Sequence, residues 1–189
     1  MDVIIKPLIP DLIDDFLNYF DNIAFADNPE WAGCYCYFHH CNVDLNMWAE
    51  RKKEENREDS KKLILSGNLN GFLAFKKDKP IGWLNIDAKE AYSKLPIEEA
   101  RDFPHDGKIA SVVCFVIAQF QRRKGIARKL LRFACSSLKD KGYNIIEAYP
   151  KKGLLRDDHS YHGPDTLYLS EGFMIYKEFT DSYVVRKTL

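Results

Sequence analysis

The chain contains no apolar run near the roughly 20 residues that a membrane-spanning helix needs. Its most apolar stretch, Ile109 to Ala118, is broken by Ser111 and ends at Gln119. Net charge is also missing, since 28 Lys and Arg balance 28 Asp and Glu. No overall field therefore draws the chain to nucleic acid or to an anionic membrane, and neither is expected as a partner. The start, Met1-Asp2-Val3, is acidic, unlike a secretory leader. There is no G-x-x-x-x-G-K-S/T, no G-x-G-x-x-G and no G-x-S-x-G. The usual phosphate loop, the dinucleotide fingerprint and the hydrolase nucleophile elbow are thereby excluded. The 5 cysteines are odd in number and too sparse for a disulfide scaffold, so a reducing, cytoplasmic setting is expected. No internal repeat or low-complexity tract divides the 189 residues, which suit a single domain, 1–189.

What the chain does have is a central organising stretch, Ile109 to Leu138. A buried strand, Ile109 to Ala118, leads into a polar turn, Gln119 to Lys124, and Gly125 opens a helix. Ala127, Leu130, Leu131, Ala134 and Leu138 share one face of that helix, with Arg128, Lys129 and Arg132 on the other. A strand feeding a glycine turn and a helix N-terminus forms an anion cradle, because unpaired N–H groups and the positive helix end point to one place. The cluster from Arg122 to Arg132 is local, which fits a small phosphorylated ligand better than a polymer.

Around this centre the chain reads in order. Val3-Ile4-Ile5 is a short strand, and Asp11 caps a helix whose face is Leu12, Ile13, Phe16, Leu17 and Phe20. Asn42 to Ser66 is helical in two pieces, divided around Asn56–Ser60, with the charged run Glu50 to Glu58 on a solvated face and Gly67 closing the second piece. Gly71–Lys76 and Ile81–Ile86 form a hairpin turning through Lys77-Asp78-Lys79-Pro80. Asp87 to Lys108 is a long polar connection. Tyr143 to Tyr149 is a strand parallel to the central one. Lys151 to Pro164 is polar and holds His159 and His162; a short helix over Asp165–Glu171 and a last hairpin, Met174–Phe179 with Tyr183–Lys187, follow.

Trp31 to Cys41 is the least ordinary segment, with three cysteines and two histidines between Cys34 and Cys41. Structural zinc sites take paired cysteines from two separated segments, and no second cluster lies downstream. The segment is expected to pack on the core or line a pocket, with no metal bound.

Three motifs carry a family resemblance. Arg122-Arg123-Lys124-Gly125-Ile126-Ala127 resembles Q/R-x-x-G-x-G/A, the pyrophosphate-binding motif of the GNAT superfamily of acetyl-CoA-dependent N-acetyltransferases. Val116-Ile117-Ala118-Gln119-Phe120 resembles that family's V-x-P-x-Y/F lead-in, with Ala118 in place of proline. Tyr168-Leu-Ser-Glu-Gly172-Phe173 is similar to its Y-x-x-x-G-F. The resemblance spans Gly71 to Leu189; residues 1 to 70 match in element order alone.

The resemblance implies an α/β (α+β) fold with a mixed, mostly antiparallel sheet flanked by helices. It implies central strands that splay at Ile117 to Phe120 and a Trp31–Cys41 wall over the acceptor. Acetyl-CoA is the implied acyl donor, bound by Phe115, Val116, Arg122, Arg123, Lys124, Gly125, Ile126, Ala127 and Arg128. An amine, on a small molecule or peptide, is the implied acceptor, attacking the thioester directly. Tyr168 would protonate the departing thiolate, and a backbone N–H near Val116 would steady the oxyanion. Glu147 is the first candidate base, Asp87 the second, and His39 or His40 the third. The protein is expected as a monomer or homodimer. A non-catalytic acyl-CoA-binding sensor of the same fold is the alternative, and a metal-binding interaction protein built on Cys34–Cys41 a third reading.

Overall fold

The computed structural model describes residues 2–153, 156 and 160–189. Among the described residues seven strands form one sheet: β1 (Ile4–Pro7), β2 (Gly71–Lys76), β3 (Lys79–Ala88), β4 (Ile109–Ile117), β5 (Ile145–Ala148), β6 (Met174–Glu178) and β7 (Tyr183–Thr188). Their order is β1-β2-β3-β4-β5-β7-β6. Only β4 and β5 are parallel; every other pair is antiparallel. The helices are α1 (Ile13–Asn22), α2 (Leu45–Glu50), α3 (Lys53–Leu65), α4 (Ile126–Asp140) and α5 (Asp165–Ser170). This is the mixed, mostly antiparallel sheet flanked by helices that the resemblance implies. Among the described residues no helix is long and apolar enough to cross a membrane.

Apart from Ser111 the central strand is apolar, because both of its faces are covered. On one face Ala110, Val112 and Phe115 meet Ile126, Leu130, Leu131, Ala134 and Leu138 of α4, joined by Leu167 and Tyr168 of α5. On the other, Val116 and Ala118 join Phe16, Leu17, Tyr19 and Phe20 of α1, Ile64 of α3 and Trp83 of β3. A third cluster, including Tyr92, Leu95, Ile97, Val113 and Tyr149, ties the long connection after β3 to the sheet.

Several local expectations shift. The β2–β3 turn is shorter than the four residues expected: Lys77 and Asp78 alone turn the chain, at φ of 50° and 59°. That two-residue left-handed turn matches the strand twist. Pro80 consequently lies inside β3, where it pairs with Phe75 and precedes the first β4 partner, Gly82, so no second ladder needs its missing N–H. Asp11 does not cap α1; it lies in a turn of 3₁₀ helix, and Leu12 precedes α1 without a side-chain cap. The helical break falls at Arg51–Lys52, both extended, rather than at Asn56–Ser60. Asn56 and Ser60 instead face inward from α3. Asn56 Nδ2 donates to the Gly33 carbonyl at 2.9 Å and Ser60 Oγ to that of Tyr35 at 3.0 Å. These residues resemble helix breakers in sequence because they bond backbone readily, and here the backbone they bond belongs to another segment. Gly67 does close α3, at φ 71°, its N–H on the Ile64 carbonyl and that of Asn68 on Leu63.

Candidate active site

The site begins where two strands part. Parallel pairing of β4 with β5 ends at Val112 opposite Ala148, five residues before the expected splay at Ile117. Opposite Asn85 and Ile86 the register of β4 shifts past Val113, a bulge that bends the strand there. The open edge is met by the segment preceding α5. The Phe115 N–H donates to the Tyr161 carbonyl at 2.6 Å, and His162 Nδ1 lies 2.9 Å from the Val113 carbonyl. Phe115 thus directs its N–H away from β3, and by alternation Val116 directs its own toward β3. The oxyanion donor expected near Val116 is therefore not offered to this side.

A cavity of about 1410 Å³ follows this edge. At one end it reaches Arg122, Arg123, Gly125, Ile126, Ala127 and Arg128; Phe115, Val116 and Ile117 line its middle. Gly125, the residue before α4, has φ 77°, a left-handed conformation in which a glycine carries no steric penalty. A Cβ there would have nothing within 4 Å, so a side chain would project into open space. No side chain caps α4 and no acidic residue occupies its first turn. The first N–H groups of α4 are thus presented to the cavity in the manner an anion requires, and a pyrophosphate fits this arrangement.

The basic residues divide by role. Arg122 is bound within the protein: its guanidinium pairs with Asp27 at 2.5 and 3.0 Å, and Nε donates to the Ile117 carbonyl at 3.0 Å. It ties the turn to the loop after α1. Lys124 donates to the Phe120 carbonyl at 2.6 Å and does not line the cavity. Arg128 pairs with Glu171 at 3.0 Å, and Arg132 with the same carboxylate at 2.7 Å, which holds the Glu171 carboxyl below its usual range.

The far end of the cavity is walled by the Trp31–Cys41 segment and by α2. Trp31, Cys34, Cys36, Phe38 and His39 line it, as do Leu45 and Trp48, with the Trp48 ring packed on Phe38 at 5.1 Å between centroids. Tyr35 and Cys36 turn the chain at φ 43° and 55° and are buried. The Cys36 sulfur accepts from Asn85 Nδ2 at 3.1 Å. Burial pushes the thiol up, but hydrogen bonds from Cys114 and Asn85 outweigh burial and set it below the usual thiol range. Burial pushes the Cys34 thiol up to about 12. Among the described residues no group of three His, Cys, Asp or Glu is arranged to hold a metal ion.

The candidate proton carriers sit elsewhere than the motifs suggest. Tyr168 is fully buried and does not line the cavity; its hydroxyl donates to the His162 carbonyl at 2.7 Å. Burial holds its proton well above the usual phenol range. Glu147 is also fully buried and away from the cavity. Its Oε2 accepts from Arg186 Nε at 2.7 Å, and its Oε1 lies 2.7 Å from the Tyr149 hydroxyl and 3.1 Å from Lys89 Nζ. Asp87 accepts from Asn70 at 2.8 Å and from the Ala88 N–H at 2.7 Å, again outside the cavity lining. His40 lies against Asn85 Nδ2 at 3.3 Å, in a chain with Tyr92. His39 and His162 do line the cavity, and His159 lies outside the described residues. Sequence reasoning gives His162, Tyr161, Asp27 and Lys89 no role, because each gains its partner across at least 46 residues of chain or from a loop without periodicity.

Comparison with known proteins places this geometry. A sequence model described as Acetyltransferase (GNAT) family matches residues 23–160. No curated protein has a significantly similar sequence. Among solved structures, a GNAT-family acetyltransferase from Streptococcus pneumoniae superposes with a TM-score of 0.57 at 17% identity, over 100% of this chain and 99% of that one. PaiA N-acetyltransferase from Thermoplasma acidophilum, in complex with coenzyme A, gives 0.56 at 16% identity, over 100% of both chains. A chain of the NatC complex bound to Gag peptide and CoA gives 0.56 at 14%, over 100% of this chain and 99% of that one. At such identities the superpositions establish the fold, and the match over residues 23–160 establishes the lineage: the chain belongs to the Acetyltransferase (GNAT) family.

Proposed function

We propose that the protein moves an acetyl group from acetyl-CoA to a primary amine of a small molecule or peptide, by direct attack of the amine on the thioester. One observation carries the reading: a single cavity joins the uncapped N-terminus of α4 to an aromatic wall, by way of an open strand edge. The N–H groups from Gly125 to Arg128 would hold the pyrophosphate, with Arg123 beside them. Arg122 acts indirectly, by fixing the turn through Asp27. Phe115 and Val116 line the middle of the path, and Lys124 adds positive charge from outside it. Bound acetyl-CoA supplies an activated thioester carbonyl, so no nucleophilic side chain is needed. Trp31, Phe38 and Trp48 receive the acceptor, which favours an amine carried on an apolar or aromatic body. Two solved relatives in fold were captured with coenzyme A, which supports the choice of donor. Five free cysteines suit a reducing cytoplasm, where the protein would act as a monomer or homodimer.

A second reading keeps acyl-CoA binding without turnover. It is favoured by one fact, that the Tyr168 hydroxyl and the Glu147 carboxylate are both engaged away from the cavity. Calorimetric titration with acetyl-CoA, combined with thiol release across a panel of amines, separates the two. Binding with amine-dependent thiol release supports transfer. Binding with no release for any amine leaves the sensor, and no binding refutes both.

A further inference from the structure

His39 and His162 meet across the cavity from different parts of the chain, their ring centroids 6.3 Å apart. Each is over nine-tenths buried, at 7% and 9% exposure, yet each borders the open space. Nδ1 of His39 lies 3.1 Å from the Lys94 carbonyl, and Nδ1 of His162 lies 2.9 Å from the Val113 carbonyl. A carbonyl oxygen only accepts, so Nδ1 is the protonated nitrogen in both rings. Burial, the main cause, pushes His39 down to about 4 and His162 down to about 3, so both rings are neutral at pH 7. In a neutral ring with Nδ1–H, Nε2 is a bare lone pair. Among the described residues no hydrogen bond reaches Nε2 of either.

His162 is the more firmly set. It sits at the bulge where β4 loses its β5 partner, its ring 4.3 Å by centroid from Tyr161 and its carbonyl accepting from Tyr168. We propose that Nε2 of His162 accepts the proton of the incoming ammonium, with His39 the second imidazole on the same proton path. This rests on the acetyl-transfer reading above. Tyr168 is then a positioning residue that holds the histidine main chain, and Val113 fixes the tautomer.

A buried imidazole is a weak base toward water, but it need not win a proton from water. Transfer from an ammonium to an imidazole begins and ends with one cation in the same cavity, so the desolvation that lowers the imidazole also lowers the ammonium and largely cancels. One ammonium proton passes to Nε2, and the freed nitrogen pair attacks the thioester carbon. The C–S bond breaks with its pair left on sulfur, and the second proton on nitrogen goes to that thiolate. The imidazolium returns its proton to water, leaving amide and free thiol.

The test uses His162→Asn, whose amide nitrogen sits where Nδ1 was and keeps the bond to Val113 while removing Nε2. At pH 7 kcat should fall about 10²–10⁴-fold, the usual worth of a positioned base. Acetyl-CoA affinity by calorimetry should stay within about twofold, as expected of a group acting in the chemical step. The loss should shrink as pH approaches the amine's own pKa near ~10, where solvent deprotonates the acceptor. His39→Asn should cost less.

The groups that bear on these titrations are His39, Lys151, Tyr161 and Tyr168 around His162, and Lys94, Glu98, Tyr92 and His40 around His39. A readout independent of turnover is long-range ¹H–¹⁵N spectroscopy of the free protein at pH 7. Neutral Nδ1–H tautomers at both positions are expected, and an Nε2–H tautomer or an imidazolium at His162 overturns the assignment. If wild type turns over and His162→Asn keeps its kcat, the base is wrong and acetyl transfer stands. If wild type binds acetyl-CoA and releases no thiol with any amine, transfer and base fall together.

Discussion

Replacing Glu147 with Gln distinguishes a structural carboxylate from a catalytic one. The side chain is fully buried with two cations against it: Lys89 Nζ at 3.1 Å, itself 3% exposed, and Arg186 at 2.7 Å, 11% exposed. Glutamine keeps the shape and an accepting oxygen, but removes the charge. Breaking a buried pair by removing one partner costs about 3–5 kcal/mol, because the remaining charge has no counter-ion. Two features put the expected value near the bottom of that range. Lys89 also donates to the Ala100 carbonyl, and Arg186 Nη1 donates to that of Pro104 at 2.8 Å, so neither cation is left without an acceptor. A loss of about 3 kcal/mol corresponds to a Tm drop of about 6–12 °C for a domain of this size.

The pH dependence sharpens the prediction. Burial already holds Lys89 below the usual lysine range, with Glu147 pulling it back up. Without Glu147 it falls further, so the folded variant binds fewer protons than the unfolded chain between that lowered value and about 10.4. Stability then rises with pH across the window, and the deficit against wild type narrows from pH 7 toward pH 10. Urea denaturation at the two pH values measures it, beside kcat at pH 7. A variant that melts within a degree or two of wild type while losing 10²-fold or more in kcat would refute the reasoning and make Glu147 the base.

Four further outcomes are expected. Gly125→Ala should lose about 1 kcal/mol, the cost of holding a Cβ at left-handed φ, in chemical denaturation. Gly125→Glu should in addition abolish acetyl-CoA binding in calorimetry, since its carboxylate enters the space a pyrophosphate would fill. Arg122→Ala and Asp27→Asn should destabilise non-additively: a double-mutant cycle should return at least about 0.5 kcal/mol of coupling for this partly buried bidentate pair, and additivity would remove the turn-anchoring role. Tyr168→Phe should lower stability by about 1–3 kcal/mol by orphaning the buried His162 carbonyl. A kcat loss of 10²-fold with unchanged melting would restore the phenol as the proton donor.

The elements that follow from short-range chemistry are legible in the amino-acid sequence alone. The apolar run of β4, the phased face of α4, and Gly125 before it define strand, turn and helix within 30 residues, because burial of both strand faces and of one helix face leaves a local imprint. The pyrophosphate cradle is readable for the same reason: its parts are consecutive. The hairpin's existence is legible too, although its tight Lys77-Asp78 turn is not, since neither residue is the glycine that a left-handed turn usually announces.

Side-chain roles are decided by tertiary structure. Glu147 looks available on a strand, but Lys89 and Arg186 reach it from 58 and 39 residues away in sequence and enclose it. Asn56 and Ser60 look like a helix break until the wall segment places two carbonyls against them. His162 carries no signal inside a polar loop. Its tautomer is set by the Val113 carbonyl, 49 residues earlier, which is free only because β5 stops short of it. Local sequence fixes which groups a residue carries, whereas which of them stay unpaired, neutral or charged depends on neighbours that only chain folding brings within hydrogen-bond distance.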